Sequence, residues 1–85
     1  MTHHAALWHT ISVIANDNNL SRSAMARICG MDATTFNPSK QFSSHGQPRW
    51  ISTETLSKIL RATGTTPIAF AQIFQSFLDQ PQNKN

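Results

Sequence analysis

Residues 20–41 read LSRSAMARICGMDATTFNPSKQ and hold two helix start signals eleven residues apart. Ser21 stands where a helix N-cap is expected, because its hydroxyl can accept from the first free amides of a following helix. Leu20 before it and Met25 at the fourth helical position have the spacing of a hydrophobic staple. Ala24, Met25, Ile28 and Cys29 then form an inward face, and Gly30 supplies the left-handed residue that often ends a helix. The same start signal repeats at once: Asp32 as cap, Met31 and Phe36 as staple. A third helix is therefore expected from Asp32 to Asn37. Pro38 limits it, because a proline donates no amide and crowds the carbonyl of Thr34.

Two short helices joined by one glycine are what a helix-turn-helix requires. Ala26 is small where the helices cross, Gly30 tolerates positive φ in the turn, and Phe36 anchors the second helix on the first. The outward residues are then Arg22, Ser23, Thr34, Thr35, Asn37, Ser39 and Lys40, a hydrogen-bonding and net positive face of the kind that enters a major groove.

The flanks read as helices too. Leu7, Trp8, Ile11, Ile14 and Ala15 recur at helical spacing, and Asp17-Asn18-Asn19 ends that first helix. Residues 39–50 read as a polar loop. Ser52 caps a fourth helix with Ile51 and Leu56 as its staple, Leu56, Ile59 and Leu60 as its inward face, and Gly64 as its stop. Thr66-Pro67 opens a fifth, with Ile68, Phe70, Ile73, Phe74, Phe77 and Leu78 on its apolar face. The expected architecture is all-α, a five-helix bundle over residues 1–78 followed by a flexible polar tail over 79–85.

Length and composition agree with one small domain. The chain has 85 residues with 39% hydrophobic and 13% charged content, unlike a disordered chain. Its formal charge is +3. Residues 20–61 hold Arg22, Arg27, Lys40, Arg49, Lys58 and Arg61 against Asp32 and Glu54, a net +4, and the remainder is −1. Positive charge is thus concentrated beside the motif, as steering toward phosphate requires. The single cysteine, Cys29, excludes an internal disulfide framework and a multi-cysteine zinc site, and it suits a reducing cytoplasm. No apolar run approaches the ~20 residues of a membrane span, and the N-terminus lacks a secretory pattern. Four scattered acids, no glycine-rich phosphate loop and no nucleophile motif leave an enzyme without support, so no catalytic residue, small-molecule substrate or cofactor is expected. His3, His4, His9 and His45 have poor spacing for a metal, and none is expected there.

The segment resembles the helix-turn-helix of lambda-type phage repressors. It is closer still to the N-terminal domains of SOS-type, self-cleaving bacterial repressors. Two runs carry the resemblance: LSRSAMARICGMDATTFNPSK over 20–40 and RWISTETLSKILRATG over 49–64. The architecture it implies covers roughly residues 5–78. It implies a lambda-repressor-like fold and a transcriptional regulator, usually a repressor, that binds double-stranded DNA sequence-specifically as a dimer on a palindrome. Two departures stand out. Pro38 shortens the recognition helix, and the loop before Trp50 is long. The self-cleaving relatives also carry a C-terminal protease domain with a serine nucleophile and a lysine base, which this sequence does not contain. A standalone regulator and a fragment both remain open.

The candidate DNA-contacting residues are Arg22, Ser23, Ala33, Thr34, Thr35, Asn37, Ser39, Lys40, Arg49 and Trp50. Asn37 suits adenine, and the methyl of Thr34 or Thr35 suits that of thymine. Ala33 either meets a thymine methyl or permits close approach. Arg22 and Ser23 stand at a helix start where a phosphate would lie. Ser39 and Lys40 reach phosphate after the helix. Arg49 is a phosphate clamp or a solvated charge, and Trp50 a DNA contact or a core aromatic beneath the fourth helix. The fifth helix is a candidate homodimer face. The competing reading is a helical protein-interaction module, antitoxin-like or a phage immunity component, that does not itself read DNA.

Overall fold

A computed structural model of the chain describes residues 1–81. The first helix, α1 (His3–Asp17), is capped by the Thr2 hydroxyl, which accepts from the Ala5 amide at 3.1 Å. Ala6, Trp8, Ile11, Ile14 and Ala15 are buried along it, with Thr10 among them because its hydroxyl donates to the Ala6 carbonyl at 2.7 Å. It stops where Asn18 donates its side-chain amide to the Ile14 carbonyl and Asn19 takes φ 57°, a conformation asparagine tolerates better than most residues.

The second helix, α2 (Arg22–Ile28), starts at the expected cap, with the Ser21 hydroxyl accepting from the Ala24 amide at 3.1 Å. Met25, Ala26 and Cys29 are buried, and Gly30 at φ 72° turns the chain so that the Met31 amide closes back on the Ala26 carbonyl. Ile28 departs from the expected inward face and is 49% exposed. It lies roughly 100° around the axis from the centre of the Met25–Ala26–Cys29 stripe.

The helix α3 (Thr53–Thr63) is capped by Ser52 and ended by Gly64 at φ 68°. The helix α4 (Pro67–Leu78) is capped by Thr66 with proline at its first position. Phe70 and Ile73 of α4 pack against the core, yet no residue of α4 is fully buried, and Ile68 is 71% exposed. The helices α1 and α4 lie together, with the His3 and His9 rings against Phe74 and Phe77 at 5.9 and 5.3 Å between centroids.

The core gathers Trp8, Ile11, Ile14, Met25, Ala26, Cys29, Phe36 and Ile59 from three helices and the 31–37 connection. Its Cα radius of gyration, 12.8 Å, is near the about 12 Å of a packed chain this long. The fold is therefore compact and all-helical, with four α-helices and no strand among the described residues. The count of five is corrected to four, because Asp32–Asn37 forms turns instead of a helix. No helix among the described residues is long and apolar enough to cross a membrane. Residues 82–85 of the expected tail lie outside the described residues.

Candidate nucleic-acid interface

The segment expected to be the recognition helix begins as one and fails to propagate. The Asp32 carboxylate accepts from both the amide and the hydroxyl of Thr34, as an N-cap would. The following bonds are i to i+3: the Thr35 amide donates to the Asp32 carbonyl and the Asn37 amide to the Thr34 carbonyl, each at 3.0 Å. Pro38 has no amide for the Thr34 carbonyl, and it forces Asn37 to extended backbone at φ −61°, ψ 146°. Five residues between cap and proline, two of them threonines, are too few to repay helix nucleation. The chain instead makes two tight turns and a 3-10 turn over Pro38–Gln41. Phe36 still drives into the core at 1% exposure, so the anchoring role read from the sequence stands although the helix does not.

The loop expected over 39–50 is a small hairpin bolted to α1. The Arg49 amide donates to the Gln41 carbonyl at 2.9 Å, the Ser43 amide to the Gln47 carbonyl at 2.8 Å, and Phe42 and Pro48 form an isolated antiparallel bridge. The turn is held by the Ser43 hydroxyl, which accepts from the amides of His45 and Gln47. His4 Nε2 lies 2.9 Å from the Gln41 carbonyl and 3.1 Å from that of Arg49. Facing two carbonyl oxygens, this nitrogen must carry its proton and donate. Trp8 Nε1 donates to the same Arg49 carbonyl at 3.0 Å. The His4 ring also sits between Phe42 and Trp50, at 4.9 and 5.3 Å between centroids. Considered only as metal ligands, the histidines give no sign of this role in the sequence. The bonds span 37 and 45 residues, so no local spacing could have signalled them.

Eight of the ten candidate residues line two open clefts. The first, about 730 Å³, brings together Thr34, Thr35, Lys40, Arg49 and Trp50, with Asp32 and Ser52 beside them. The second, about 630 Å³, brings together Arg22, Ser23 and Asn37 against α1. Ala33 and Ser39 line neither. None of the ten is buried. Trp50 is 60% exposed, so the core placement considered for it is corrected: Trp8 belongs to the core with Ile51 packed against it, and Trp50 lines the first cleft with the His4 ring beside it.

The electrostatics of the first cleft are mixed but lean positive. Lys40, Arg49 and the amino end of α3 face it, opposed by Asp32. The Asp32 carboxyl is held below its usual range, first by the Thr34 hydroxyl, then by the Thr34 amide, with a smaller contribution from Lys40. The Thr34 and Thr35 hydroxyls both donate to Asp32, to its carboxylate and its carbonyl, so to any further partner they offer lone pairs and methyl groups. In the core, burial pushes the Cys29 thiol above its ordinary value, partly offset by the charge of Lys58.

No protein-family model matches the chain, and neither a curated protein nor a solved structure matches it.

Proposed function

We propose that the chain is a sequence-specific double-stranded DNA-binding regulator, a repressor of the lambda-type and SOS-type kind, acting in the cytoplasm. One observation carries this reading: none of the ten candidate residues is buried, and Thr34, Thr35, Lys40, Arg49 and Trp50 share one cleft. The element offered to DNA is the turn-rich ridge 32–40. Thr34 and Thr35 present acceptors and methyls to base edges, and Asn37 presents its amide. Lys40 and Arg49 take phosphates on one side, and Arg22 and Ser23 on the other. Dimerisation through α4, whose apolar face is half open, would set two half-sites about 34–36 Å apart.

The test is selection of bound duplexes from a random pool, followed by a salt titration. A palindromic site should emerge, and affinity should fall by about 0.9 log unit per decade of salt for each phosphate neutralised. Lys40→Ala and Arg49→Ala should weaken all duplexes alike, whereas Asn37→Ala should relax one base position by about 1–3 kcal/mol. A parent protein that retains no duplex at low salt overturns the reading. It would favour the helical interaction module, for which the exposed Ile68 and the half-open α4 face are the supporting observations.

A further inference from the structure

Trp50 and Phe42 are large apolar side chains left 60% and 49% exposed on a hairpin that is otherwise firmly held. Here the His4 ring stands between the two, and His4 and Trp8 together fix the hairpin's backbone at Gln41 and Arg49. Trp50 is therefore held in the lining of the first cleft, and most of its surface is open to solvent. The same cleft is lined by Lys40 and Arg49. Its one carboxylate, Asp32, is engaged by two hydrogen bonds from Thr34, and the two cations outnumber it.

An open aromatic side chain beside two cations fits a planar, π-faced group that carries a phosphate. Paired bases in a duplex are stacked on one another and offer edges to a protein, whereas an unpaired base offers its face. From this juxtaposition we infer that the cleft at Trp50 is a binding site for single-stranded nucleic acid, with one unpaired base stacked on the Trp50 indole and its flanking phosphates on Arg49 and Lys40. The volume, about 730 Å³, is in the range that holds a ligand of nucleotide size. The site shares its cleft, Lys40 and Arg49 with the surface proposed for duplex DNA, and the two are told apart by their base contacts: a stacked unpaired base needs the Trp50 indole, whereas sequence reading of a duplex needs Thr34 and Asn37.

The test is fluorescence anisotropy of a labelled oligothymidylate of about ten nucleotides, within the span of a single small binding module, at low ionic strength. Trp50→Leu should weaken binding by about fivefold to 150-fold, and Trp50→Phe should recover part of the loss, because phenylalanine still stacks. Arg49→Gln should reduce the salt slope by about 0.7. Unchanged far-UV circular dichroism and urea midpoint would show that each variant is folded. Unlabelled oligothymidylate, an oligouridylate of the same length and a duplex run as competitors: displacement by the single strands supports the site and their ranking tells which sugar it prefers, whereas a duplex that displaces the probe as well as they do overturns it. The inference is overturned if the oligothymidylate does not bind, if Trp50→Leu binds it as the parent does, if inorganic polyphosphate displaces it equally well, or if Trp50→Leu impairs duplex binding alone.

Discussion

Two stretches of this chain carry the same start signal and meet different fates. Ser52 and Asp32 both accept from amides at the head of the next segment, and each is preceded by an apolar residue that reaches the core, Ile51 and Met31. After Ser52 the chain runs through eleven helical residues to Gly64. After Asp32 it makes two turns and stops at Pro38. A cap lowers the cost of starting a helix, but it does not supply the run of propagating residues that makes starting worthwhile. TETLSKILRAT offers that run and ATTFN does not.

The largest effect expected from this comparison is in the core. Phe36, on the segment that failed to become a helix, is more deeply buried than Leu56, the residue in the matching position of α3. Phe36→Ala should therefore cost about 3–5 kcal/mol in urea unfolding, and Leu56→Ala clearly less. Equal losses would mean that the turn segment anchors the fold no more firmly than a half-buried position of a helix does.

Next in size are the caps. Ser52→Ala should cost about 1 kcal/mol, because the Thr55 amide loses its acceptor at the head of an eleven-residue helix. The Ser52 hydroxyl also donates to that of Thr55, which is buried, so the loss should sit toward the upper part of the usual range. Ser52→Gly, which tolerates the same backbone, should recover only part of it.

What the sequence made legible follows the range of the interactions involved. The caps at Ser21, Ser52 and Thr66 and the positive-φ stops at Gly30 and Gly64 depend on neighbours within a few residues, and all five are where the reading put them. Phe36 and Ala26 were legible as core because their apolar character and spacing left little choice. The expected third helix is absent because Pro38 and the short run before it outweigh the cap at Asp32 and the staple of Met31 and Phe36. The pinning of the 41–50 hairpin by His4, and with it the exposure of Trp50, rests on contacts between residues about 40 positions apart. Nothing in a local window encodes them. The candidate site was thus readable as a set of surface residues, but not as two clefts.

Pro38 can be tested as the cause of the difference. Pro38→Ala restores an amide that can donate to the Thr34 carbonyl, and it frees Asn37 from extended backbone. Helical signal at 222 nm should rise by the equivalent of about one turn, roughly four residues, with little change in stability. If the signal stays flat, the paired threonines are the stronger stop. A gain in helix together with tighter duplex binding would tie the length of this ridge to recognition.

The smallest effect is the one that isolates the cap at Asp32. Its carboxyl is held below the ordinary value by Thr34, chiefly through the hydroxyl, so the ionised form is favoured in the folded chain. A group whose folded pKa is depressed contributes stability above its unfolded value, near 4, and loses that contribution as pH falls through the folded value. Asp32→Asn keeps an acceptor for the Thr34 amide but removes the charge. Parent and variant should therefore differ modestly at neutral pH, and the gap should close as pH drops below about 4. The carboxylate is fully solvent-exposed, so salt should shrink the Lys40 part of the gap while leaving the Thr34 part in place. A gap that persists at low pH would show that Asp32 acts through shape and not through charge. The failed helix and the successful one would then share a start signal in geometry alone.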